Sequence, residues 1–115
     1  MKVVISATGD NLSSVVDRRF GRCPWLLFID TESQEYEVVK NPSADSASGA
    51  GTACAQLVLR REVDAVISGQ VGPNAHEVLK QGGVKIFIAP QDMRVKEAID
   101  RYKNSALRQM ETKIF

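Results

Sequence analysis

Residues 65–89 read AVISGQVGPNAHEVLKQGGVKIFIA, and the interpretation of the whole chain starts from this stretch. Two apolar runs, at 65–67 and 84–89, are typical of buried strands. Between them, Pro73 suits the first position of a helix, and the glycines at 82–83 suit its end. Because strands joined by a helix lie parallel with a right-handed crossover, the stretch predicts a parallel β-α-β unit.

Upstream of this unit, three apolar segments predict three more strands. They are VVI at 3–5, WLLFI at 25–29 and YEVV at 36–39. The run at 3–5 does not alternate with polar residues, which indicates a central strand covered on both faces. The short gap between the second and third segments predicts a hairpin.

Helices are predicted at 52–61, from apolar residues at i, i+4 spacing, and after Asp92, which we expect to cap the last helix. Residues 12–19 suit either a short helix or a turn, and residues 106–115 show no clear period. The predicted order is β-β-β-α-β-α-β-α. It corresponds to an α/β fold, a three-layer α/β/α sandwich around a mixed five-stranded sheet whose second strand is antiparallel to its neighbours. We expect a single domain over 1–115, with 103–115 as a C-terminal tail.

Composition narrows the class of protein. The chain has 115 residues, 43% of them hydrophobic, which is enough for a core without a metal or disulfide staple. A net charge of +1 argues against a nucleic-acid binder, and no apolar run approaches the length of a membrane span. Two cysteines without a CxxC pair do not make a structural zinc site. We expect a cytosolic protein with both thiols reduced.

Glycine-bearing turns gather at one edge of the predicted sheet, the edge at which open α/β folds bind ligands. Two helices begin there, and their free N–H groups favour an anion, with Arg18, Arg19 and Arg22 nearby. The candidate contacts are Arg22, Gly49, Gly51, Thr52, Gly72 and Asn74. The alternative for the GAGTAC turn is a helix start that needs glycine for close packing.

Three side chains are candidate metal ligands. Cys23 lies in a turn beside Arg22, where a guanidinium and exposure would favour the thiolate, although free cysteines usually behave as small buried hydrophobes. Cys54 lies in the first turn of a helix, but its i+4 partner Val58 indicates a side chain that faces the core. His76, the only histidine, is expected at the same edge or in adjacent solvent, with a neutral imidazole able to bind metal.

Carboxylates and nucleophiles do not form a recognisable catalytic set. Asp10 is the main acidic candidate at the glycine-rich edge, whereas Asp30 and Asp64 are predicted at the opposite edge, which argues against a two-metal nuclease. The sequence has no GxSxG nucleophile motif. We therefore expect neither a two-metal nuclease nor a hydrolase with a nucleophile elbow.

The segments FGRCPWLLFID, GAGTACAQLVLRREVDAVISG and GPNAHEVLKQGGVKIFIA together resemble the dinitrogenase iron–molybdenum cofactor biosynthesis family, over Met1 to about Tyr102. The resemblance implies a ribonuclease H-like α/β sandwich. It also implies binding or carriage of iron–sulfur or iron–molybdenum precursor clusters rather than catalysis. The matching glycines, Arg22, Pro73 and Asn74 carry it, whereas Cys23 and His76 lie outside the pattern.

The sequence thus leads to the hypothesis of a small binder or carrier of an iron–sulfur or iron–molybdenum type metallocluster. Cys23 would supply a thiolate, with Cys54 or His76 as a second contact. Because two thiols are too few for a four-cysteine cluster, a homodimer or outside ligands would complete the coordination. Cluster donor and acceptor proteins are the expected partners, without nucleic acid or membrane. The alternatives are a binder of a small anionic metabolite or nucleotide, and a protein-interaction or regulatory domain.

Overall fold

The computed structural model describes residues 1–110. This part of the chain forms six strands and three helices in the order β-β-β-α-β-α-β-α-β. Their bounds are β1 Lys2–Ala7, β2 Trp25–Asp30, β3 Tyr36–Lys40, α1 Ala50–Arg60, β4 Ala65–Ser68, α2 Pro73–Gln81, β5 Lys85–Ile88, α3 Val95–Lys103 and β6 Arg108–Gln109.

All six strands form one sheet in the order β3-β2-β1-β4-β5-β6. Strands β1, β4 and β5 are parallel to one another, while β2 is antiparallel to both β1 and β3. The β-α-β unit and the antiparallel second strand are therefore confirmed. The strand β1 lies at the centre of the sheet, because it pairs with β2 on one side and β4 on the other.

The sheet is covered on both faces, as the unbroken apolar runs predict. Val4 and Val66 point into one core with α1 and α2, whereas Val3 and Ile5 point into a second core with α3. Neighbouring residues of a strand face opposite sides of its sheet, so a strand between two cores has no polar face. This arrangement confirms the three-layer α/β/α sandwich.

The predicted count of five strands was wrong, because the C-terminal tail contributes a sixth. Residues 108–109 form β6, which pairs antiparallel with β5 at the edge of the sheet. Met110 extends the contact by donating its backbone N–H to the carbonyl oxygen of Ile86. A two-residue edge strand leaves no periodic pattern for sequence to show. Residues 111–115 of the predicted tail lie outside the described residues.

The start of the last helix was also predicted wrongly. Helix α3 begins at Val95, with Arg94 as its N-cap residue and no side-chain cap, while Asp92 has a φ of 67° and lies in the preceding turn. Residues 12–19 form a turn rather than a helix, with bridges from Val16 to Ala7 and from Val15 to Arg94. Among residues 1–110, no helix is long and apolar enough to cross a bilayer.

Candidate functional site

One edge of the sheet collects the ends of β1, β3, β4 and β5 and the starts of β2 and β6. Strand pairing places Ala7 beside Trp25, Trp25 beside Lys40, and Ser68 beside Ile88. We call this edge the rim. The carboxyl ends of parallel strands form the usual ligand edge of an open α/β sheet, so the predicted convergence of turns at one edge is confirmed.

The segment between β1 and β2 crosses the rim and is held there by main-chain hydrogen bonds. The N–H of Asp17 donates to Ser6 O at 2.8 Å, and the N–H of Gly69 donates to Asp17 O at 3.1 Å. The N–H of Phe20 donates to Gln70 O at 3.1 Å. Residues 17–24, called here the rim loop, therefore form a fixed part of the rim.

Two glycines allow the rim loop to lie directly on α1. A Cβ built on Gly21 would lie 2.5 Å from both Cα and N of Gly51, so a side chain does not fit. A Cβ built on Gly51 would lie 3.4 Å from Cβ of Ala75, which is an ordinary van der Waals distance. The first turns of α1 and α2 therefore lie close together. Gly49 is the N-cap residue with a φ of 73°, a conformation that favours glycine. Close packing thus explains the GAGTAC turn.

Arg22 and Asn41 hold the neighbouring backbone. The Arg22 guanidinium donates to the carbonyl oxygens of Ala44 and Ser46 and so fixes the loop after β3. Buried Asn41 donates its amide Nδ2 to the carbonyl oxygens of Gly21 and Cys23, at 3.1 and 2.9 Å. Sequence reasoning did not single out Asn41, because an asparagine beside a proline is also an ordinary loop residue.

The two cysteines are adjacent and buried, so Cys23 follows the alternative of a small buried hydrophobe rather than that of an exposed thiolate. Neither residue is exposed to solvent, and both belong to the core under α1. A hydrogen bond with Cys54 and burial raise the pKa of the Cys23 thiol above its ordinary range. Cys23 is therefore a neutral thiol in this arrangement, and the core-facing side chain predicted for Cys54 is confirmed.

His76 was expected at the rim or in the adjacent solvent, and it does not line the rim cleft described below. It points to the edge of the sheet near β6, where it lines a cavity of about 190 Å³ with Lys80, Lys85 and Gln109 among others. The structure therefore brings Cys23 and Cys54 together but places His76 elsewhere. No group of three or more His, Cys, Asp or Glu side chains within residues 1–110 has the arrangement of a metal site.

A larger cleft of about 690 Å³ opens beside the rim. Gly69, Gln70 and Val71 line one side, at the approach to α2, and Ile88 and residues 108–110 line the other. This volume lies within the range of small-molecule sites, roughly 300–1,000 Å³. We call it the rim cleft.

Positive charge borders the rim cleft. Arg108 lines it directly, and the backbone of Arg18 packs against the cleft-lining Gly69, since a Cβ built on Gly69 would lie 2.6 Å from Cα of Arg18. Both arginines are exposed, and neither has an ion pair within the described part of the chain. Arg108 was missed because it lies in the tail, where the sequence carries no periodic signal.

Asp30 and Asp64 lie at the edge opposite the rim, as predicted. Asp30 pairs with Lys2 at the start of β1, and Asp64 accepts a hydrogen bond from the Lys2 backbone N–H at 2.9 Å. Backbone N–H groups of Glu32 and Ser33 lower the pKa of Asp30. The carboxylates of Asp30 and Asp64 thus accept backbone hydrogen bonds in turns and at strand ends, at the edge opposite the rim.

The sequence of this chain matches a known protein family over most of its length. Residues 1–105 match the sequence profile described as dinitrogenase iron-molybdenum cofactor. The chain belongs to the dinitrogenase iron-molybdenum cofactor family. This finding confirms the resemblance carried by the FGR, GAG and GPNA segments.

Solved structures and a curated relative share the fold of this family member. The apo form of the orange protein from Desulfovibrio gigas is 27% identical, with a TM-score of 0.90 over 95% of this chain and 92% of that chain. A proposed NifB protein from Thermotoga is 38% identical, with a TM-score of 0.84 over 99% of this chain and 97% of that one. An uncharacterized protein of Methanocaldococcus jannaschii is 30% identical over 92 residues, which span 77% of this chain and 75% of its own.

Proposed function

We propose that this protein is a cytosolic binder and carrier of an anionic metal–sulfur cluster, of the iron–sulfur or iron–molybdenum type or a precursor of one, and that it catalyses no reaction. The observation that carries the proposal is the rim cleft, a cavity of about 690 Å³ at the ligand edge of the sheet, which Arg108 lines and beside which Arg18 packs on the lining Gly69. Membership of the family and likeness to the orange protein and a NifB-type protein suggest a small cofactor-binding or carrier protein.

The thiols do not fit a cluster in this arrangement. A thiolate is the form that binds iron, whereas Cys23 is buried and neutral and Cys54 is buried beside it. We infer that the cluster is held by positive charge and hydrogen-bond donors rather than by sulfur ligands from this chain. Such contacts are exchangeable, which suits a carrier that receives its cargo from one partner protein and passes it to another.

The rim residues then divide into two groups. Gly21, Gly49 and Gly51 shape the packing of the rim loop on α1, and Arg22 fixes the adjacent loop. Gly72 and Asn74, at the exposed start of α2, lie next to the cleft-lining Val71. The backbone N–H of Asn74 belongs to the first helical turn and has no acceptor within the helix, whereas that of His76 already donates to Gly72 O. In this proposal the cluster binds beside the start of α2, and the rim residues beside α1 have a structural role.

The test is anaerobic loading with two probes, ferrous iron with sulfide, and tetrathiomolybdate. After desalting, metal and sulfide per protein and visible absorption are measured. Arg18→Gln/Arg108→Gln removes two charges beside the cleft, and we expect affinity to fall on the order of tenfold. Arg60→Gln/Lys103→Gln removes two charges from exposed helix ends away from the rim and is the matched control.

A third variant, Cys23→Ser/Cys54→Ala, separates charge from thiol ligation. We expect it to load as much cluster as the wild type. Loss of loading in this variant, with the arginine variant unaffected, would replace the proposal with thiolate ligation after the rim loop opens. Failure of the wild type to retain either probe would overturn cluster carriage altogether and leave a small anionic metabolite as the ligand of the rim cleft.

A further inference from the structure

The cavity beside His76 has an unusual set of donors. It has a volume of about 190 Å³ and lies between α2, the start of β5 and the tail after β6. His76 and Lys80 are four residues apart on α2 and so lie on one face of the helix. Lys85 and Gln109 approach from the sheet. We call this cavity the histidine cleft.

The Nε2 atom of His76 is buried and has no hydrogen-bond partner among residues 1–110, the one side-chain nitrogen or oxygen in that range of which this is true. Leaving such an atom unpaired costs about 1–3 kcal/mol, so buried polar atoms in native proteins normally have partners. The side chain that carries this nitrogen lines a cavity large enough for a small ligand, since a water molecule takes about 30 Å³.

The charges around the histidine cleft indicate whether its ligand is an anion or a cation. Lys80 and Lys85 line it, no carboxylate among residues 1–110 lines it, and neither lysine has an ion pair within that range. The imidazole of His76 and the thioether of Met110 could together attract a soft metal ion, but two ammonium groups at the same cavity repel a cation. The donors instead suit an anion with several acceptor oxygens.

We propose that the histidine cleft binds a small tetrahedral oxyanion, of the class of phosphate, sulfate or molybdate. An N–H group of the His76 imidazole, the ammonium groups of Lys80 and Lys85, and the side-chain amide of Gln109 would donate to its oxygens. The histidine cleft borders the rim cleft, because Gln109 and Met110 line both cavities. It is nevertheless a separate site, since His76, Lys80 and Lys85 do not line the rim cleft.

The presence of a single histidine makes the test direct. Side-chain NMR signals of an imidazole in this protein come from His76 alone. The protein is titrated with inorganic phosphate and with molybdate at constant ionic strength, with chloride as the balancing anion. We expect saturable shifts of the imidazole signals with both tetrahedral anions and none with chloride. A parallel titration with glycerol phosphate distinguishes a free oxyanion from a phosphate monoester. Tighter binding of inorganic phosphate indicates a free oxyanion, and tighter binding of glycerol phosphate indicates a monoester.

Two variants establish which residues hold the anion. Lys80→Gln/Lys85→Gln is expected to weaken binding on the order of tenfold, whereas Lys96→Gln/Lys103→Gln on α3, with the same change in charge, is expected to leave it unchanged. Absence of a saturable shift, or equal weakening in both variants, would overturn the proposal. Stoichiometric binding of cuprous ion at His76 without any anion effect would overturn it in favour of a metal site.

The proposal for the rim cleft and the proposal for the histidine cleft can be disproved independently of each other. Lys80→Gln/Lys85→Gln is expected to load metal–sulfur cluster as the wild type does, because both lysines lie outside the rim cleft. Arg18→Gln/Arg108→Gln is expected to retain the phosphate-dependent shifts of His76. Loss of oxyanion binding with intact cluster loading therefore disproves the histidine cleft alone.

Discussion

Cys23 and Cys54 direct their sulfur atoms at the same carbonyl oxygen, that of Phe20, at 3.0 and 3.6 Å. One cysteine belongs to the rim loop and the other to α1, so the shared acceptor ties the loop to the helix. Phe20 itself is buried in the core under α1. The thiols therefore contribute to the packing that holds the rim loop in place.

Burial of both thiols predicts slow chemical modification. Ellman's reagent is expected to react with Cys23 and Cys54 more slowly than with the unfolded chain, by a factor on the order of a hundred or more. Absorbance of the released thionitrobenzoate, with and without urea, measures this ratio. Fast labelling of either thiol in the native protein would show that the rim loop opens, and thiolate ligation of a cluster would again be possible.

The raised pKa of Cys23 predicts a loss of stability in alkali. Folding raises this pKa above the ordinary value of 9.0, so the folded state retains the proton that the unfolded chain releases. The stabilisation is complete below that value and falls by roughly 1 kcal/mol per pH unit above it. Urea unfolding of the reduced protein, at about pH 7 and about pH 10, measures the loss.

The control for this prediction is Cys23→Ser, since a serine hydroxyl keeps a donor near Phe20 and does not titrate in this range. The alkaline loss is expected to be smaller in the variant than in the wild type. Equal losses in both proteins would assign the pH dependence to other groups, such as Tyr102, whose pKa is raised mainly by burial.

The contact between Gly21 and Gly51 predicts an asymmetric response to alanine. Gly21→Ala places a Cβ 2.5 Å from the backbone of α1 and is expected to lower the free energy of unfolding by about 2–4 kcal/mol. Gly72→Ala is the matched control, because it has a φ of −70° and no atom within 4 Å of its built Cβ. It should change stability by less than about 0.5 kcal/mol, as followed by urea unfolding.

The hydrogen bonds of the buried Asn41 amide are expected to hold the rim loop in position. Asn41→Ala leaves the carbonyl oxygens of Gly21 and Cys23 without their donor and is expected to cost about 2–3 kcal/mol of unfolding free energy. Labelling of Cys23 should become faster at the same time. Asn74→Ala, at an exposed position, provides the comparison. An unchanged labelling rate in Asn41→Ala would mean that other contacts suffice to hold the loop.

Much of the fold could be predicted because its signals are local. The unbroken apolar runs at 3–5 and 65–67 belong to strands covered on both faces, and Pro73 does occupy the first turn of α2. The short link between β2 and β3 is a hairpin, as expected. Strand β6 had no such signal, because a two-residue strand is defined by its partner rather than by its own pattern.

The candidate site was predictable only in part, because exposure is a property of packing. The glycine turns were placed at the correct edge, yet Cys23 is covered by the same loop whose sequence suggested an open turn. His76 was expected at the rim or in the adjacent solvent, from its position in the first turn of α2. A helix turn contains residues that face in different directions, so its place along the axis did not fix the direction of the imidazole.

The sequence by itself determined the alternation of strands and helices, the two apolar cores and the family, since these depend on periodicity, turn residues and short motifs. The tertiary structure alone decided that Gly21 lies on Gly51, that the two thiols share the Phe20 oxygen, and that His76 faces lysines rather than cysteines. The physical reason is distance along the chain. Such contacts join segments whose approach is set by the summed packing of the whole sheet and its helices, which no single stretch of sequence encodes.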